Sequence, residues 1–332
     1  MTARAAPSDM LLEVKGLTKH FTLHGDIYSR LAGEKAQTLK AVDGIDFHLR
    51  RGETLGLVGE SGCGKSTTAR LVTRLIEPTA GAVRLKGEDL LAFSAARMKS
   101  ARKEIQLVFQ DPYSSLNPRK TVMQILSRPM ELHGLARSWA EKREKVLDLL
   151  HRVGLNVEHI DRYPHEFSGG QRQRIAIARA LSVDPELVIG DEPVSALDVS
   201  IQAQILNLFR DLQEQFGLTY LFIAHDLSVI RHISDRVAVM YVGKIVETAP
   251  AGALFEEPLH PYTKALLAAV PEADPTKPPP RLTLKGEVST PLDPPPGCRL
   301  CRRCPNETKV CSEIAPPLVD VGGGRQVACH NL

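Results

Sequence analysis

The eight residues Gly59-Glu60-Ser61-Gly62-Cys63-Gly64-Lys65-Ser66 directly follow the apolar run Thr54-Leu55-Gly56-Leu57-Val58. This juxtaposition calls for a buried strand, a glycine-rich turn and a helix starting near Ser66, the one setting in which the spacing G-x-x-x-x-G-K-[ST] has meaning. Without Cβ atoms at the glycines, backbone N–H groups of Gly59, Ser61, Gly62, Cys63 and Gly64 can converge on phosphate oxygens. The Lys65 ammonium then reaches the outer phosphates, the Ser66 hydroxyl can ligate Mg²⁺, and Thr67 follows on the first helical turn. Cys63 needs only to be small. Taken alone, the loop implies a nucleoside triphosphate ligand and nothing narrower.

Bulk properties exclude several classes. The chain has 332 residues, enough for one large core with an appended second part. Its 42 basic and 39 acidic residues leave a net charge of +3, which gives no nucleic-acid footprint. No stretch of about 18 apolar residues is present, so the chain is not expected to cross a membrane by itself. The first residues lack the apolar core of a secretory signal, which leads to an expectation of a reducing compartment without structural disulfides.

Along the chain, residues 11–58 alternate apolar and polar positions (Leu12, Val14, Leu17; Val42, Ile45, Phe47, Leu49), the pattern of strands in a mixed sheet. A helix is expected over Ser66–Ile76, closed by Glu77-Pro78. Short strands are expected at Ala82–Leu85 and Ile105–Phe109. A helical region follows, in which Ser138 and Glu141 have the spacing of a capping box and Val146, Leu149, Leu150 and Val153 form an apolar stripe ending at Gly154. The charged run Glu141–Lys145 reads as a solvated helix face. Leu187–Ile189 and Tyr220–Ala224 read as strands covered on both faces. Between them a helix from Ser200 carries Ile201, Ile205, Leu208 and Leu212 on one face and stops at Gly217. Beyond residue 250 the composition shifts to a proline-rich linker over Pro271–Pro296 and a cysteine-rich tail.

Two further segments carry chemistry. The strand Leu187–Gly190 delivers Asp191 and Glu192 at its end, one carboxylate suited to hold Mg²⁺ and one to orient and polarise an attacking water. Ser168-Gly169-Gly170-Gln171-Arg172 precedes the apolar helix Ile175–Leu181, and a serine with two glycines at a helix N-terminus offers donors and dipole to an anion. A chain with two anion sites raises the question of geometry, answered if the second site closes on nucleotide held by another copy.

In order, the phosphate loop, Gln110, Ser168–Gln171, Asp191-Glu192, Ser195-Ala196-Leu197-Asp198 and His225 resemble the ATP-binding cassette of ABC transporters over residues 11–248. The resemblance implies an α/β fold, a RecA-like core with an antiparallel β subdomain and an α-helical subdomain near 112–167, within an ATPase domain at 1–250. It implies two cassettes packed head to tail around two ATP molecules. Ser168 and Gly170 of one subunit would face the phosphate held by Lys65 of the other, Gln110 would touch Mg²⁺ and the water, Glu192 would be the base, His225 would hold the γ-phosphate and Asp198 would line the seam. Phe21 stands where the family has an aromatic on adenine, with Tyr28 as the alternative. Phe167 replaces the family's usual leucine before Ser168.

The segment Phe109-Gln110-Asp111-Pro112-Tyr113-Ser114-Ser115-Leu116-Asn117-Pro118-Arg119, His260-Pro261-Tyr262-Thr263 and the cysteine tail resemble the ATPase subunits of bacterial oligopeptide and dipeptide importers, a group that includes nickel and glutathione importers. This implies a peripheral position on the cytoplasmic face of the bacterial inner membrane, a homologous ATPase mate, identical or not, two transmembrane permease subunits and an extracytoplasmic peptide-binding protein. Residues 251–332 would be the C-terminal extension. A non-transport cassette is disfavoured, because neither a second fused cassette nor a coiled-coil insertion is present.

Five of the six cysteines (Cys298, Cys301, Cys304, Cys311 and Cys329) fall in the last 35 residues. Such clustering in a reducing compartment favours a metal centre over disulfides. The resemblance implies ligands at Cys298, Cys304, Cys311 and Cys329, with a [4Fe–4S] cluster in some members. Cys301 leaves the choice of four open, and the alternatives are Zn²⁺, with His330, and a thiol tail without metal.

Overall fold

The computed structural model describes residues 9–23, 37–269, 284–286 and 290–332. Tyr28 and most of the proposed linker lie outside the described residues. Twelve strands are present among them: β1 Met10–Leu23, β2 Gln37–Arg50, β3 Thr54–Val58, β4 Ala80–Leu85, β5 Glu88–Asp89, β6 Ile105–Val108, β7 Leu187–Asp191, β8 Thr219–Ala224, β9 Arg236–Tyr241, β10 Lys244–Pro250, β11 Val319–Gly322 and β12 Arg325–Val327. The described residues fall into two compact units, one within 1–48, 55–91 and 225–332, the other within 49–54 and 92–224.

In the first unit the alternating N-terminal pattern produces the order β2-β1-β4-β5. Leu12 faces Leu85 and Val14 faces Val83 across the antiparallel β1–β4 pair, so the apolar positions share one face. A second set of strands runs β11-β12-β10-β9-β3. Every residue of β3 is buried, and β3 lies parallel to β9, with Leu55 opposite Arg236 and Val58 opposite Val239. Full burial on both faces is why the strand reads as a continuous apolar run.

In the second unit β6, β7 and β8 are parallel neighbours, with Val108 opposite Gly190 and Gly190 opposite Phe222. The helices of this unit include 122–132, 139–152, 169–181 and 199–216. Helix 199–216 buries Ile205, Leu208 and Leu212 of the expected face, together with Leu206 and Phe209, and ends at the expected Gly217, whereas Ile201 is only half-buried. Two local expectations are corrected. The helix after the phosphate loop spans Lys65–Val72, not Ser66–Ile76, because Arg74 turns to φ 49 and the Leu75 and Ile76 N–H groups both return to the Arg70 carbonyl. At helix 139–152 the capping box is half formed. Ser138 accepts from the Glu141 N–H, but the Glu141 carboxylate takes the Arg137 N–H instead of the one on Ser138.

Candidate active site

The first unit carries the phosphate loop. Gly64 adopts φ 113, and a Cβ there would stand 2.1 Å from the Ala41 carbonyl oxygen, so the turn before the helix requires glycine. Lys65 opens the helix and is only 4% exposed. Its Nζ donates to the Gly59 carbonyl at 2.7 Å and the Glu60 carbonyl at 3.0 Å, which holds the ammonium inside the loop. Ser66 and Thr67 follow half-buried on the first turn, with Ser61 and Gly62 exposed. The helix N-terminus thus presents backbone N–H groups and a positive dipole end beside a fixed cation, a combination suited to phosphate. Burial pushes the Cys63 thiol up, so it stays protonated at neutral pH. Phe21 is half-buried on β1 with Lys19 Nζ 5.0 Å from its ring centroid. His225 is exposed directly after β8, and Asp226 caps the helix that follows by accepting from the Ser228 N–H at 2.8 Å.

The second unit carries the paired carboxylates. Asp191 ends β7 and is 5% exposed. Glu192 adopts φ 50, a left-handed conformation that costs a non-glycine residue energy and is sustained by its surroundings. Those surroundings are visible. The Glu192 N–H donates to the Ile223 carbonyl at 3.0 Å, and its carbonyl accepts from the Ser195 N–H and Oγ at 3.2 and 3.0 Å. Gln110 Nε2 donates to Glu192 Oε2 at 3.2 Å. Ser168 and Gln171 form a reciprocal capping box at helix 169–181, Ser168 Oγ accepting from the Gln171 N–H and Gln171 Oε1 accepting from the Ser168 N–H. The S-x-x-Q spacing that signals this box is plain in the sequence, although the segment reads there only as an anion site. Gly170 has a second reason to lack a side chain: a Cβ would meet Ile201 Cγ2 at 2.5 Å. Asp198 is exposed at the N-cap of helix 199–216.

The structure therefore places Lys65, Ser66, Phe21 and His225 in the first unit, and Gln110, Ser168, Gly169, Gly170, Gln171, Asp191, Glu192 and Asp198 in the second. It brings Gln110 and Glu192 into contact.

All six cysteines are free thiols. The Cys298 N–H donates to the Cys311 carbonyl at 2.7 Å, and Cys304 follows one short turn after Cys301. Burial, with the neighbouring Cys311, Cys329 and Cys304 thiols, pushes the Cys298 thiol up to about 11. These four sulfurs thus share a neighbourhood. Among the described residues, however, no three histidine, cysteine, aspartate or glutamate side chains gather closely enough to hold a metal ion.

Comparison with known proteins gives a consistent answer. Residues 42–195 match the family model for ABC transporters, and residues 246–311 match that for the C-terminal region of oligopeptide/dipeptide transporters. The oligopeptide transport ATP-binding protein AppF of Bacillus subtilis is 52% identical over 98% of this chain and 98% of its own length. The dipeptide transport ATP-binding protein DppF of Escherichia coli is 50% identical over 99% of this chain and 96% of its own. Among solved structures, the ATP-binding cassette MJ0796, a dimer in a post-hydrolysis state with ADP and Pi, superposes with a TM-score of 0.64 at 27% identity, covering 73% of this chain and 99% of that one. No described helix is long and apolar enough to cross a membrane. On this similarity over nearly its whole length, the chain belongs to the ABC transporter ATP-binding proteins, in the group that serves oligopeptide and dipeptide transport.

Proposed function

We propose that the chain hydrolyses ATP to energise peptide uptake through separate transmembrane permease subunits, docked on the cytoplasmic face of a bacterial inner membrane and supplied by an extracytoplasmic peptide-binding protein. The observation that carries the reading is the Gln110–Glu192 contact at 3.2 Å, in a chain that also keeps an intact phosphate loop. A carboxylate held by an amide beside a parallel strand end is suited to orient water for in-line attack. The ATPase domain would end near residue 250, with 251–332 as the extension.

In this reading the phosphate loop and Lys65 bind the β- and γ-phosphates, and Phe21 stacks on adenine. Mg²⁺ would arrive with the triphosphate, held by Ser66, Asp191 and Gln110, a set of hard oxygen donors that suits it, and would neutralise charge on the phosphate oxygens. Glu192 takes a proton from the attacking water as its oxygen bonds to the γ-phosphorus. The bond to the bridging oxygen breaks, and ADP leaves with that electron pair. His225 contacts the γ-phosphate. Ser168, Gly169, Gly170 and Gln171 complete the site of a second, homologous protomer, with Asp198 at the seam.

A [4Fe–4S] cluster or Zn²⁺ at Cys298, Cys304, Cys311 and Cys329 is a proposal resting on the donor set alone, and no step passes through it. Iron, sulfide and zinc analysis of anaerobically purified protein decides it.

The test of the main reading joins two measurements. Purified wild-type protein is expected to release phosphate from ATP, and deletion of its gene is expected to abolish uptake of a labelled peptide. Loss of nickel or glutathione uptake with peptide uptake intact would reassign the cargo. Absence of ATP hydrolysis in the isolated transporter complex would overturn the reading.

A further inference from the structure

The C-terminal part of the chain closes directly on one residue of the phosphate loop. Arg303, 8% exposed and set between Cys301 and Cys304, directs Nη1 to the two carboxylate oxygens of Glu60 at 3.4 and 3.1 Å and Nη2 to Oε1 at 3.4 Å. The same Nη1 reaches the Tyr241 hydroxyl at 3.2 Å. Tyr262, fully buried within His260-Pro261-Tyr262-Thr263, accepts the Glu60 backbone N–H through its hydroxyl at 2.8 Å. Its ring packs 4.5 Å from that of Tyr241. The Glu60 carbonyl in turn accepts from Lys65 Nζ at 3.0 Å and from the Cys63 N–H at 3.3 Å. The N–H, carbonyl and carboxylate of Glu60 are all engaged.

Glu60 poses an electrostatic problem that this arrangement solves. A carboxylate inside a loop that must receive a triphosphate repels it and offers Lys65 a competing partner. A buried, forked guanidinium cancels that charge and fixes its direction, which a lysine cannot do in the same way. The Tyr262 hydroxyl ties down the N–H of the same residue, so the start of the loop is held from both sides.

Resting on the ATPase reading above, we propose that Arg303 and Tyr262 are positioning residues that preset the phosphate loop, so that ATP affinity depends on the cysteine-bearing tail holding Arg303 in place. Neither side chain touches nucleotide in this account. Both act through Glu60.

The experiment measures binding of a fluorescent ATP analogue to the full-length chain. Arg303→Met, which leaves the Glu60 carboxylate unpaired, is expected to weaken binding roughly ten-fold or more. Adding Glu60→Gln removes that charge and is expected to restore most of the loss, a rescue that a purely structural role for Arg303 would not give. Arg303→Lys is expected to recover only part of the affinity. Tyr262→Phe keeps the ring and frees the Glu60 N–H, with an expected loss of roughly three- to ten-fold; it serves as the probe if Arg303→Met does not fold. Wild-type affinity in the folded variants, or a double variant weaker than Arg303→Met, overturns the proposal. A wild-type chain that binds no ATP would instead defeat the ATPase reading itself.

Discussion

Gln110 and Glu192 meet at 3.2 Å because each lies two residues beyond a directly paired position, Val108 opposite Gly190, on the parallel strands β6 and β7. The sheet register sets the contact. The left-handed turn at Glu192, φ 50, then aims its carboxylate off the strand end. Replacing Glu192 by Gln keeps the side-chain shape and removes the base. Turnover is expected to fall about 10²- to 10⁴-fold while ATP binding is retained, as read by phosphate release beside an equilibrium binding assay. Normal hydrolysis in this variant would show that the proton goes elsewhere.

Gln110→Ala tests the other half of the pair. Without the amide donor the Glu192 carboxylate is no longer oriented, and kcat is expected to drop roughly ten-fold, the scale of one hydrogen bond to a charged group. KM for ATP is expected to rise by a smaller factor, because Ser66 and Asp191 remain to hold the Mg²⁺ that Gln110 is also assigned to ligate. A loss confined to KM would contradict this division of labour.

How far these features were legible in the sequence depends on what each residue is used for. β3, β7 and β8 are wholly buried, so their apolar runs announce them. β10 gives no such signal, because its buried Glu247 reads as a surface residue. In the structure that carboxylate is fully enclosed and accepts the Leu259 and His260 N–H groups, both at 2.9 Å. β11 is silent for the opposite reason, since all four of its residues are exposed. The phosphate loop, Gln110 and the Asp191-Glu192 pair could be singled out because local spacing defines them. The link from Glu60 to Arg303 could not, because 243 residues separate the two and only the fold brings them together.

Gly170 and Ser168 are expected to fail for different reasons. Ser168→Ala removes a cap and should cost about 1 kcal/mol of stability. Gly170→Ala drives a methyl against Ile201 Cγ2, an overpacking worth about 1–3 kcal/mol. Thermal melting separates the two, because pairing Gly170→Ala with Ile201→Ala should relieve the second loss. If melting is unchanged in Gly170→Ala, helix 199–216 yields more readily than its packing suggests.

His260 makes the C-terminal region sensitive to acid. Its Nδ1 accepts the Tyr262 N–H at 3.1 Å, and its other ring nitrogen serves the Ala328 backbone. Burial holds the ring neutral, lowering its pKa from 6.5 to about 4. The unfolded chain therefore takes up this proton at a higher pH than the folded one. Stability is unaffected by the group above about pH 7 and declines as pH falls from about 6.5 towards 4, by about 3 kcal/mol over the interval. Urea unfolding at a series of pH values should show this decline. In His260→Asn, whose amide oxygen can accept the same N–H but takes no proton in this range, the curve should lie lower at pH 7 and fall less steeply below it. Parallel curves for the two proteins would mean that His260 reaches solvent in the folded state and that another group carries the acid sensitivity.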